Sequence, residues 1–145
     1  MDPAFIAPTF GAFLRIALQD VRVRMLKAVH DGGYVDFQES HFAIFSYPLP
    51  HAIRPADLAR QKRISRQALN YLLTQLEGLG YLERHCLEGA NRRLIYLSPD
   101  GRKIAEIMFA CLHEMEAEWS SRVGPERFRI FVDVLRAIGS DRRDA

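Results

Sequence analysis

The chain is poor in the features that announce chemistry. Its 145 residues contain no GxSxG nucleophile turn, no GxGxxG or P-loop glycine run and no HExxH. Serine-hydrolase, nucleotide-binding and zinc-protease chemistry therefore have no signature here. Cysteine is scarce: Cys86 and Cys111 are the two present, far apart and without CxxC or Cys/His spacing. That excludes a disulfide framework and a structural zinc site. His30, His51, His85 and His113 share no helical face and no metal-like spacing, so no metal and no cofactor are expected. Glu106, Glu114, Glu116 and Glu118 fall in AEIMFACLHEMEAEW and read as the solvated face of a long helix. The chain is not expected to be an enzyme.

Long hydrophobic stretches are also lacking. No uninterrupted apolar run approaches the roughly 20 residues of a membrane-spanning helix. The N-terminal MDPAFIAPTFGAF has no basic stretch followed by an apolar core and cleavage site. A soluble, cytoplasmic protein with no membrane partner is the expectation. There is no repeat, low-complexity tract or interdomain linker, and 48% apolar against 26% charged residues suits one domain, 1–145, with its own core.

What is present is an uneven charge. The net charge is only +2, yet residues 54–103 hold ten Lys/Arg against five Asp/Glu, a local +5, which leaves −3 for the rest. A central basic segment is the asymmetry expected when one face meets phosphates.

Hydrophobic periodicity divides the chain. FGAFLRIALQDVRVRMLKAVH, residues 10–30, is a long first helix whose apolar surface is wider than one core contact requires, so it belongs to a helical interface. Asp36 and Glu39 have capping-box spacing at the start of a second helix through Phe37, His41, Ile44 and Phe45, which Pro48 and Pro50 end. Pro55 opens a short third helix, and Ser65 is the N-cap of a fourth. YLERHCL and RRLIYL then alternate as two strands of a hairpin with its tip near Gly89 to Asn91. Helices from Pro99 and from Gly124-Pro125 close the chain. The fold class is mainly α with a small β-wing.

The fourth helix carries the most specific signal. At roughly 100° per residue, Ala68, Leu69, Leu72, Leu73, Leu76 and Leu79 fall within an arc of about 140°. Gln67, Asn70, Tyr71 and Thr74 lie opposite, with Arg66 at the border. Amides can bond adenine bidentately, a guanidinium guanine, and hydroxyls bases or phosphates, so this flank suits a major groove. Arg54, Arg60, Lys62 and Arg63 precede it, and Arg84, Arg92 and Arg93 lie on or near the hairpin tip. Phosphate contacts position and base contacts specify. A winged helix-turn-helix supplies both, with its second helix in the groove. The expected partner is double-stranded DNA, and the alternative is a winged helix that binds only protein.

RPADLARQKRISRQALNYLLTQLEGLGYLER, a wing and then LIYLSPDGR resemble the MarR family of winged-helix transcriptional regulators over about residues 37–103. The resemblance implies a winged helix-turn-helix core at 35–98, with helices in 9–31 and 99–139 forming a homodimer interface. It places Ser65, Arg66, Gln67, Asn70 and Tyr71 toward DNA and Arg92 and Arg93 at the wing; Arg54, Lys62, Arg63 and Thr74 join them from the basic cluster and polar flank. EGANRR lacks the Asp-x-Arg of family wings, so Arg93 belongs either to the wing or to the strand. The family also implies a pseudo-palindromic operator, repression and release of DNA by a small aromatic or anionic effector. Phe37, His41 and Phe45 are the candidate pocket; His41 either orients a ligand or is a hydrogen-bonded structural histidine.

Overall fold

A computed structural model describes residues 2–86 and 93–140; the hairpin tip expected near Gly89 to Asn91, and Arg92 with it, lie outside the described residues. The chain divides into two compact units, Met1–Phe109 and Ala110–Ala145. The first unit opens with a one-turn 3-10 helix (Pro3–Phe5) and α1 (Phe10–Asp31) and continues through a second 3-10 helix (Glu39–Ala43), β1 (His51–Ile53), α2 (Pro55–Lys62), α3 (Arg66–Gly78), β2 (Leu82–Cys86) and β3 (Arg93–Leu97). α4 (Pro99–Val123) begins in it and ends in the second unit, which also holds α5 (Pro125–Ser140).

Two elements differ from the sequence reading. The second helix is a single 3-10 helix, and its capping box is made by Gln38 and His41 rather than by Asp36 and Glu39. Asp36 is drawn away because its carboxylate accepts from the Tyr81 hydroxyl. The hairpin supplies two strands of a three-stranded antiparallel sheet in the order β1-β3-β2. β1 pairs His51 with Tyr96 and Ile53 with Ile95, across an irregular register. A strand of three residues is too short to show a period of two, so it exists through its partner rather than its own pattern.

The core of the first unit gathers around Phe37, whose ring meets His41, Phe42 and Phe45 with centroids 5.2, 5.4 and 5.2 Å away. Val29, Ile44, Leu58, Leu69, Leu73, Leu76, Ile95 and Ile104 are fully buried about it. At the exit of β3 the Ser98 hydroxyl donates to Gly80 O (2.5 Å) and accepts from Gly101 N (3.0 Å), while Ser98 N donates to Tyr81 O (3.1 Å). This knot fixes the start of α4 beside the end of α3. A Cβ on Gly101 would stand 2.1 Å from Tyr81 O, so only glycine fits.

α1 buries only Met25 and Val29 and leaves Phe10, Phe13, Leu14, Ile16 and Leu18 exposed. The sequence shows no unbroken apolar run here because Arg15 interrupts it. The helical segment Pro3–Asp31 nevertheless contains a window apolar enough, by length and composition only, to cross a membrane, and none of that window is buried. In the second unit α5 likewise exposes Ile130, Phe131, Val134, Leu135 and Ile138. Its other flank carries Arg129 bonded to Glu126 and Asp133, and Arg136 bonded to Asp133.

Candidate nucleic-acid interface

The site is built on α3. Ser65 has extended backbone and its Oγ accepts from Ala68 N at 3.0 Å, an N-cap that leaves the hydroxyl hydrogen available outward. Leu69, Leu72, Leu73 and Leu76 are buried, which pins one flank and turns the other to solvent. Arg66, Gln67, Asn70, Tyr71 and Thr74 are all exposed, Tyr71 by 65%. Thr74 Oγ1 donates to Asn70 O at 2.9 Å, so its hydrogen serves the helix and the oxygen faces out as an acceptor.

α2 is set against α3 by a turn in which Arg63 adopts the left-handed region (φ 56°), a conformation that non-glycine residues take at a cost. Ile64 N returns to Ala59 O at 3.1 Å and closes the end of α2. This turn fixes the angle between the two helices and leaves the Arg63 side chain exposed.

The basic cluster is less open than its composition suggests. Lys62 Nζ donates to Ser46 O (2.6 Å), Pro48 O (2.8 Å) and Ser46 Oγ (3.3 Å). All three ammonium hydrogens thus close the loop before β1, and burial holds the group below its ordinary pKa. Lys62 clamps the end of α2 to the loop before β1. Arg54 bonds Asp57 at 3.1 Å, and Arg60 pairs with the same carboxylate at 3.5 Å. Arg84 is the middle residue of β2. It lies opposite Ile95 in the sheet register and donates to Glu77 Oε1 at 2.6 Å, tying β2 to α3. Arg93 is the first residue of β3, exposed and paired with Cys86, so it belongs to the strand.

Phe37, His41 and Phe45 are packed in the core, each exposed by 2% or less. His41 Nδ1 accepts from Gln38 N at 3.0 Å and Nε2 meets Gln75 Oε1 at 3.2 Å. Both ring nitrogens are engaged within the chain. These bonds fit the hydrogen-bonded structural histidine of the two readings, and they bring in Gln75, which the sequence reading left out.

Neither a protein-family model nor a curated protein matches the sequence. Solved structures do. A MarR family protein of Mycobacterium tuberculosis in complex with salicylic acid is 24% identical, the match covering 91% of this chain and 97% of that one at a TM-score of 0.63. A MarR family transcription regulator, SP03579, is 18% identical over 90% and 85% at 0.67. A mutant of S. aureus MepR bound to an oligodeoxyribonucleotide is 16% identical over 92% and 99% at 0.58. The chain has the MarR-family winged-helix fold. Within this MarR-like fold, α2 and α3 are the helix-turn-helix pair, β2 and β3 are the sides of the wing, and α3 exposes its polar flank.

Proposed function

We propose that the chain is a transcriptional regulator that binds double-stranded DNA sequence-specifically in the cytoplasm, as a homodimer on a pseudo-palindromic operator, and represses until a small aromatic or anionic molecule releases it. The observation that carries this reading is the division of α3: four leucines buried on one flank, and Arg66, Gln67 and Asn70 exposed on the other without a side-chain partner among the described residues. Unpartnered amides and a guanidinium on a pinned helix are what base edges in a major groove require. Arg63 before it and Arg93 behind it supply phosphate-binding charge, and Arg92 is assigned to the wing from its place in the sequence.

The dimer follows from the apolar residues that α1 and α5 leave exposed, which a second copy would cover; 9–31 and 99–139 are the interface segments and 35–98 the DNA-binding core. A two-fold pair presents two copies of α3 to half-sites about one helical turn apart. An effector is supported by the salicylic acid complex above and by a structure of S. aureus MepR bound to ethidium bromide, 17% identical at a TM-score of 0.61. Gel-shift titration on the gene's own upstream DNA tests the proposal. Arg66→Ala, Asn70→Ala and Arg92→Ala are each expected to weaken specific binding, about 5- to 100-fold for the two base-facing changes. Unchanged affinity in all three, or no binding by the parent chain, overturns it in favour of a protein-binding winged helix.

A further inference from the structure

Three bonds run from the buried core to the exposed flank of α3. Gln38 N donates to His41 Nδ1 at 3.0 Å, His41 Nε2 meets Gln75 Oε1 at 3.2 Å, and Gln75 Nε2 donates to the Tyr71 hydroxyl oxygen at 3.1 Å. The direction of every hydrogen follows from the first bond. A backbone N–H can only donate, so Nδ1 is an acceptor and the imidazole carries its proton on Nε2. Nε2–H must then face the amide oxygen of Gln75, which turns its NH2 group toward the phenol. The phenol oxygen is an acceptor in this chain of bonds, and its own hydrogen is left to point away from Gln75. Tyr71 is 65% exposed while His41 is 1% exposed, so a fixed interior group sets the polarity of a surface hydroxyl.

We infer that Gln75, anchored by His41, is a positioning residue that holds Tyr71 as a hydrogen-bond donor toward acceptor atoms of bound DNA. The inference rests on the DNA-binding reading above and adds what that reading leaves open: which chemical partner Tyr71 selects and what aims it. The acceptor is a phosphate oxygen or a base-edge atom such as purine N7, guanine O6 or thymine O4. A phenol free to rotate would serve donors and acceptors alike; one locked in this way discriminates against a base edge that offers only a donor. Tyr71 and Gln75 stand one helical turn apart, so the pair moves as a unit with α3.

The test is a double-mutant cycle on duplexes that the full-length chain selects from random double-stranded DNA. Tyr71→Phe should weaken binding about 3- to 10-fold per half-site, the worth of one hydrogen bond. Gln75→Met should weaken it by a similar factor, yet cost little further on the Tyr71→Phe background. Gln75→Glu keeps a bond to His41 but accepts from the phenol and reverses its polarity, so on that background Tyr71→Phe should no longer matter; this arm stands if Gln75→Met fails to fold. A uniform loss across sequences assigns the acceptor to phosphate, and a loss of preference at one base pair assigns it to a base edge. Additive effects, or a silent Tyr71→Phe, overturn the inference. If Arg66→Ala still weakens binding in that case, the DNA-binding reading survives alone; if the parent chain binds no duplex, both fall.

Discussion

Lys62 and Arg66 are four residues apart in sequence and opposite in expected role, and a paired substitution separates them. The Lys62 ammonium has three hydrogens and meets three acceptors at 2.6, 2.8 and 3.3 Å. Replacing it in Lys62→Met leaves two loop carbonyls to water. Charge-assisted bonds of this kind contribute about 1.5–3 kcal/mol each when sheltered, but partial exposure reduces the sum, and about 2 kcal/mol in all is the expected loss. For a chain of this size about 3 °C of Tm follows each kcal/mol, so Lys62→Met should melt about 6 °C lower. Its DNA affinity should keep the parent's salt dependence, because no donor of Lys62 is left for a phosphate. Arg66→Met should do the reverse. Its Tm should match the parent's, and as a base-facing change it should weaken specific binding about 5- to 100-fold. Thermal melts and fluorescence-anisotropy titrations at several salt concentrations decide it. A shallower slope with unchanged Tm in Lys62→Met would refute the clamp and return Lys62 to the DNA surface.

Three further outcomes follow from the packing. Burial holds the His41 imidazole below its ordinary pKa of 6.5, against the opposing bond to Gln75 and the charge of Asp36. The unfolded chain therefore binds this proton first as pH falls, and stability contributed above pH 6.5 is lost from there down to the folded pKa, by at most about 1.4 kcal/mol per pH unit. Tm followed from pH 7 to 5.5 should fall more steeply for the parent than for His41→Gln, and parallel curves would contradict this. Gly101→Ala forces a methyl against Tyr81 O and should cost about 1–3 kcal/mol, read as a Tm about 3–9 °C lower; an unchanged Tm would show that the α4 start can shift freely. Glu77→Gln and Arg84→Gln, singly and together, should reveal a coupling of about 1 kcal/mol in denaturant unfolding, and zero coupling would remove the tie between wing and α3.

How much of this was legible depended on distance along the chain. α3 was plain because its leucines repeat at helical spacing and Ser65 precedes them, so cap, buried flank and exposed flank all lie within one turn or two. On α4 the near-heptad stripe of Ile104, Ile107, Met108, Cys111, Leu112, Met115 and Trp119 is readable from spacing alone, but spacing does not tell that Ile104, Met108, Cys111 and Met115 are buried and the other three only half-buried. What stayed hidden involves partners far apart: Lys62 with Ser46 and Pro48, 16 and 14 residues away; Gln75 with His41, 34 away; Asp36 with Tyr81, 45 away. Composition counts a lysine or an aspartate as surface charge until a partner takes it. β1 was invisible on the same ground, since its reason for being a strand is the free edge of β3. Arg84 was misplaced because alternation finds the strand but not which residue faces α3.

The central claim is that the outer flank of α3 reads bases. Sequencing the duplexes retained from a random pool by the parent chain and by Asn70→Ala tests it most directly. A two-fold motif for the parent, with preference lost at one position of each half-site in the variant and kept elsewhere, is the predicted result. Identical motifs from the two proteins, or no enriched motif from the parent, would contradict it.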